Sequence, residues 1–155
     1  EEISLLVIHN ISLPPGEYGG GYIEKLFTNN LDPNDHPYFS EIYDLKVSSH
    51  LLIERDGSLV QFVPFNKKAW HAGVSSFKGR ENCNEFSIGI ELEGTDDNKY
   101  TEDQYRALID ITKELMLVFQ DIKKENIVGH SDIAPGRKTD PGKAFDWHYY
   151  LSNLV

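Results

Sequence analysis

Three residues that lie far apart in the chain could act together: His9, His130 and Asp140. Each histidine directly follows a short apolar run of strand character, at residues 3–8 and 126–129. In α/β sheets, functional groups collect at the carboxyl ends of strands. Asp140 stands in a loop bracketed by Pro135 and Pro141. Two imidazoles and a carboxylate are a donor set used by catalytic zinc, which keeps a further position for water. The plain alternative is two core histidines and a turn aspartate, and spacing without a diagnostic motif leaves both readings open. Glu91 and Glu93 fall on one face of a strand, where either could serve as general base toward activated water or both could be solvated. Lys138 could offer an ammonium to a developing oxyanion, although a loop lysine is ordinarily solvent-facing.

The remaining histidines carry less. His36 precedes a proline in a polar loop and His148 sits in a terminal helix, so both read as solvated or partly packed, and His50 in a hairpin strand reads as structural. His71, beside Trp70 in an irregular stretch, is evenly balanced between structural and functional roles. No G-x-S-x-G elbow supports a serine nucleophile, and Cys83 has no adjacent base. Hydrolysis by activated water is the better chemical expectation.

The elements that must position these residues follow from periodicity. Residues 3–8 form a buried strand that runs into His9-Asn10 and then the breakers Pro14-Pro15-Gly16 and Gly19-Gly20-Gly21. A short helix spans 22–28, and 31–37 is a loop. Arg55-Asp56-Gly57 between β-rich runs at 47–54 and 58–63 predicts a hairpin. Residues 66–84 read as a long irregular connection to a strand at 86–93. Alternation in that strand puts Phe86, Ile88, Ile90 and Leu92 on one face and Ser87, Gly89, Glu91 and Glu93 on another, expected to be open and acidic. Thr101 with Gln104 makes a capping box ahead of a helical stripe from Tyr105 to Phe119, and Asp146 caps a last helix. Interleaved strands and helices predict an α/β fold: one domain over 1–155, a central mixed sheet flanked by helices.

Composition bounds the partners. Of 155 residues, 39% are apolar and 26% charged, which is ordinary globular usage and excludes disorder and repeats. A formal charge of −10 repels phosphate backbones and anionic lipid, so neither nucleic acid nor membrane is an expected partner. No apolar run approaches the roughly 20 residues that span a bilayer. A single cysteine precludes an internal disulfide and a thiolate zinc site, consistent with a reducing compartment. The chain enters a strand almost at once, so the lack of a leader sequence carries little weight.

Five strings, LLVIHNISLPPGEYGG (5–20), VSSHLLIERDG (47–57), AWHAGVSSFKGRENCN (69–84), FSIGIELEGTD (86–96) and GHSDIAPGRKTDPG (129–142), resemble in order the zinc amidases of the Amidase_2 family. The first and last resemble in particular the members that recycle cell-wall fragments. The resemblance implies a zinc-dependent N-acetylmuramoyl-L-alanine amidase, related in fold to peptidoglycan-recognition proteins and phage amidases. It would cut the amide between the lactyl group of 1,6-anhydro-N-acetylmuramic acid and L-alanine of the stem peptide. The family's Zn²⁺ ligands map to His9, His130 and Asp140, its glutamate base to Glu91 and its oxyanion lysine to Lys138. Asn10, Trp70, His71, Arg137, Lys46 and Arg80 are the positions expected to hold the anhydromuropeptide substrate. A cytoplasmic bacterial monomer is the expected setting.

Where relatives of that branch read L-R-V-S-A-H and G-R-E-R-C-N-D, this chain has Lys46 and Asn82 in place of two arginines. Lysine offers a point charge and asparagine none, so the grip on a peptide carboxylate is expected to differ. Two rivals stand beside this reading: an exported amidase acting on polymeric peptidoglycan, and a non-catalytic muropeptide-binding protein. Retention of all three ligand positions opposes the second.

Overall fold

Two seven-residue strands, β1 (Leu5–Ile11) and β6 (Ser87–Glu93), pair in parallel along their whole length. Both are rich in branched apolar residues, which suit a strand buried on both faces. The computed structural model describes residues 2–155. Around that pair it builds a five-stranded sheet in the order β3-β2-β6-β1-β7, completed by β2 (Leu51–Ile53), β3 (Leu59–Gln61) and β7 (Ile127–Gly129). Only the β2–β3 hairpin is antiparallel, so the sheet is mixed, as expected.

One face of β1 and β6 presents Leu6, Ile8, Ile88, Ile90 and Leu92 to the long helix α2 (Glu102–Val118), which returns Leu108, Ile109 and Leu115. The predicted capping box is present, with Thr101 Oγ1 accepting from Gln104 N at 3.1 Å and Gln104 Oε1 accepting from Thr101 N at 3.0 Å. Gln104 is fully buried yet satisfied, donating to the carbonyls of Ile53 and Glu93. The C-terminal helix α4 (Trp147–Ser152) is capped by Asp146 as predicted and packs on the same side.

The second face departs from expectation. It is not open: every residue of β6 is buried, because residues 69–86 and the short helix α3 (His130–Ile133) cover it with Ala72, Cys83, Phe86 and Ile133 against Leu5 and Val7. Phe86 lies just ahead of the strand and joins this second cluster, rather than that of Ile88 and Ile90. Glu93 is buried with its charge spent, accepting from Gly19 N at 2.7 Å and Arg55 N at 3.1 Å. Within the covering segment the chain forms a small ribbon, β4 (Ser76–Phe77) with β5 (Arg80–Glu81), where sequence shows only loop.

The hairpin turn forms at Asp56-Gly57, with Gly57 at φ 86°, but its strands are shorter than the β-rich runs. A third apolar cluster joins helix α1 (Tyr22–Phe27) and Phe39 to Leu13 and Leu52 beyond the end of β1. No helix among the described residues is long and apolar enough to cross a membrane.

Candidate metal centre and active site

Register places the first two groups. His9 of β1 is directly abreast of Glu91 of β6, and Ile8 is abreast of Gly129, so His130 follows at the same level. Asp140 arrives from the loop after α3, whose path is fixed by Ser131 N donating to Asp140 O at 3.0 Å. His9, His130 and Asp140 thus converge from three segments, with candidate ligand atoms within 4.8 Å of one another.

His9 Nδ1 lies 3.0 Å from His130 Nδ1 and 3.3 Å from Asp140 Oδ2, and His130 Nδ1 lies 3.3 Å from the same oxygen. Tetrahedral ligation at zinc's usual bond lengths puts neighbouring ligand atoms about 3.3 Å apart. His130 Nε2 meets the carbonyl oxygen of Ala72 at 2.9 Å, so it carries the proton and leaves Nδ1 as a lone pair facing the centre. Two imidazole nitrogens and a carboxylate oxygen this close in a buried place suit a shared cation. The donor set and its spacing therefore fit a zinc ion.

Electrostatics agree. Burial lowers the His9 imidazole's affinity for a proton, against the opposing pull of Asp140. Burial alone would raise the Asp140 carboxyl, but the two imidazoles that face it, those of His130 and His9, outweigh it and hold that group well below the carboxylate range. Glu91 goes the other way: burial, then the charge of Asp140, pushes its carboxyl well above the usual range despite Lys138. Glu91 Oε2 is 3.9 Å from His9 Nδ1, and its Oε1 is buried with no hydrogen-bond partner among the described residues.

These groups sit at the base of a cleft of about 580 Å³. That volume falls in the range of small-molecule sites. Lys138, Lys46 and Trp70 line it together with the apolar or aromatic side chains of Leu26, Phe27, Tyr38 and Leu45. Trp70 is exposed, with Lys68 Nζ 4.2 Å above its ring.

Other residues expected to touch substrate are engaged within the protein. Asn10 lines the cleft, but its Nδ2 donates to Asp96 Oδ1 at 2.7 Å and Tyr100 OH at 3.0 Å, while its backbone N–H reaches Asp140 Oδ2 at 3.3 Å. Arg137 Nη2 donates to the carbonyls of Ala72 at 2.6 Å and Val74 at 2.8 Å. His71 spends one ring nitrogen on His9 and the other on Ser87. Arg80 does not line the cleft at all: its guanidinium lies 3.9 Å from the centre of the Phe86 ring, because β5 turns it toward the covered face of the sheet. Asn82 is also outside this cleft, beside a shallower one that it shares with Arg137.

Sequence reasoning passed over Asp96, Tyr100, Asn84 and Ser87. Asp96 and Tyr100 tie the strand end at Asn10 to the Asp140 loop, and Gly142 is required there because a Cβ would fall 2.3 Å from Asp96 Cα. Asn84 Oδ1 accepts from the backbone of His71 and Ala72, fixing the segment beneath both histidine ligands. A signal for this packing exists in the glycine at position 89, since a glycine inside a strand marks close approach.

The profile of the N-acetylmuramoyl-L-alanine amidase family (Amidase_2) matches residues 1–143. The chain is 62% identical over 147 residues to the 1,6-anhydro-N-acetylmuramyl-L-alanine amidase AmpD of Escherichia coli, covering 95% of this chain and 80% of that protein. It is 56% identical to AmpD of Haemophilus influenzae, covering 99% and 84%. A crystal structure of an AmpD derivative superposes with a TM-score of 0.97 at 58% identity, covering 100% of this chain and 86% of that one. With that match across fold and sequence, the chain belongs to the N-acetylmuramoyl-L-alanine amidase family.

Proposed function

We propose that this protein is a zinc-dependent amidase of cell-wall recycling, which hydrolyses the amide joining the lactyl group of 1,6-anhydro-N-acetylmuramic acid to L-alanine. The observation that carries the chemistry is the buried Glu91 carboxylate, whose Oε1 has no hydrogen-bond partner among the described residues, beside three converging ligands. The substrate rests on the similarity to relatives named for the anhydro sugar.

His9, His130 and Asp140 would hold the ion. A zinc ion there supplies Lewis acidity toward the scissile carbonyl, acidity to water, and positive charge that favours the carboxylate form of Glu91. Glu91 takes the proton of the attacking water and returns a proton to the alanine nitrogen as the C–N bond breaks, giving a free carboxylate and a free amine. Its burial excludes bulk water that would otherwise solvate the base. Lys138 lines the same cleft, and its ammonium would stabilise the charge that develops on the carbonyl oxygen. Trp70 and Lys46, which line the cleft, bind the sugar and peptide. We place the enzyme in the bacterial cytoplasm, a reading supported by its acidity and its lone cysteine, and take it to act as a monomer.

The test is mass-spectrometric cleavage of anhydro-N-acetylmuramyl-tripeptide beside intact peptidoglycan, before chelation, after it, and with Zn²⁺ restored. Zinc-dependent release of tripeptide from the fragment, with little attack on polymer, is expected. Preferential attack on polymer would instead assign wall remodelling, and binding without cleavage by zinc-loaded protein would assign recognition.

A further inference from the structure

His71 was expected at the substrate; it lines the cleft, but both of its ring nitrogens are engaged within the protein, one of them on His9. Its Nδ1 is 2.9 Å from His9 Nε2 and its Nε2 is 3.0 Å from Ser87 Oγ. The ring meets His9 edge-on, with centroids 5.0 Å apart. It occupies space that only glycine leaves clear, for a Cβ at Gly89 would lie 2.4 Å from its Cγ. Asn84 fixes the backbone that carries it.

The three groups can carry their hydrogens in either direction. If Ser87 donates to His71 Nε2, then His71 Nδ1–H donates to His9 Nε2, and the His9 proton lies on Nδ1, pointing into the centre. If His9 Nε2–H donates to His71 Nδ1, then His71 Nε2–H donates to Ser87 Oγ, and His9 Nδ1 is a lone pair. Both arrangements hold the same number of protons, and only the second can bind a metal. A histidine ligand's tautomer and ring orientation are set by what its other nitrogen meets.

We propose that His71 and Ser87 form a positioning relay that holds His9 with its Nδ1 lone pair facing the metal, so that His71 acts on the ion through His9 and not on the substrate. This rests on the zinc reading above. Phe86 and Ile88 flank Ser87 in sequence but join apolar clusters, so Ser87 is the hydroxyl that β6 contributes to this contact.

The experiment measures Zn²⁺ affinity by chelator competition for the full chain and for His71→Phe, His71→Asn and Ser87→Ala, with ¹⁵N histidine NMR on the zinc-loaded native protein. Phenylalanine fills the space without an acceptor, whereas the asparagine Oδ1 can stand where Nδ1 was. His71→Phe is expected to weaken zinc by about 10–100-fold, His71→Asn to restore most of that, and Ser87→Ala to fall between. The NMR should show His71 protonated on Nε2 alone. Should His71→Phe unfold, the native tautomer and the Ser87→Ala affinity still decide. Native zinc affinity in His71→Phe, or a proton on His71 Nδ1 in the loaded protein, overturns the relay while leaving the zinc amidase intact. A native chain that binds no Zn²⁺ overturns both.

Discussion

The two faces of the β1–β6 pair are built on the same register and close in opposite ways. Toward α2, Leu6, Ile8, Ile88, Ile90 and Leu92 meet a contiguous helix whose own backbone bonds are satisfied internally, so the contact is made mostly by apolar side chains, with buried Gln104 bonding the strand-end carbonyls. The other face begins equally apolar at Leu5 and Val7 but ends in His9 and Glu91, covered by irregular segments. Their carbonyls and amides need partners, and the polar side chains beside the ligands supply them: Arg137 and His130 at Ala72, and Asn84 at His71. A helix-backed face buries area; a loop-backed face fixes directions, and ligands need directions.

The sharpest separation should come from the end of that second face. Glu91→Gln keeps shape and removes the base, so cleavage of the anhydromuropeptide should fall by about 10²–10⁴-fold. Metal analysis should find zinc still bound. A near-native rate would remove Glu91 from the reaction, and loss of zinc would make it a structural support instead. Next in size, Leu108→Ala on the helix-backed face opens a cavity in a fully buried position. It should cost about 2–5 kcal/mol, read as a lowered melting temperature, with zinc affinity unchanged. A fall in zinc affinity would break the claim that the faces are separable.

How much of this was legible follows the same division. The strand faces, the long helix and the Thr101–Gln104 box could be read because each is a local pattern whose period survives in the fold. His9, His130 and Asp140 could be singled out because strand ends are identifiable and the residue types are suited to metal. What sequence could not give was direction in irregular chain. Asn10, His71 and Arg137 are polar residues beside ligands and do line the cleft, but each also bonds carbonyls or side chains from segments far away in sequence, which no local pattern announces. Arg80 was misplaced for a similar reason: a ribbon at 76–81 orients it, and nothing local announces that ribbon. The acidic face appeared open because alternation says which residues share a side, not what covers it.

Arg137 offers a finer test of that lesson. It shares the Ala72 carbonyl with His130 and also braces Val74, and a Cβ at Gly73 would meet its guanidinium at 2.9 Å. If its work is to support the histidine ligand, Arg137→Ala should weaken zinc by about tenfold, the low end for groups that orient a ligand, and the loss should appear without substrate present. A raised KM with native zinc affinity would return Arg137 to the substrate.

The smallest effect probes the connection between the faces. Thr101 Oγ1 accepts from Gln104 N and donates to Arg55 O at 2.6 Å, while Gln104 reaches through to the carbonyls of Ile53 and Glu93 at the ends of β2 and β6. Thr101→Ala should cost about 1 kcal/mol, the usual worth of an N-cap, and lower the melting temperature by about 2–4 °C for a chain of this size. The box is reciprocal, so Gln104 loses a constraint but keeps both carbonyls, and Glu91 is held by its register with His9 and Leu52 rather than by α2. Cleavage rate and zinc affinity should therefore stay native while stability falls. If the rate falls with the melting temperature, the strand ends that carry the carboxylate take their position from the helix cap, and the second face depends on the first.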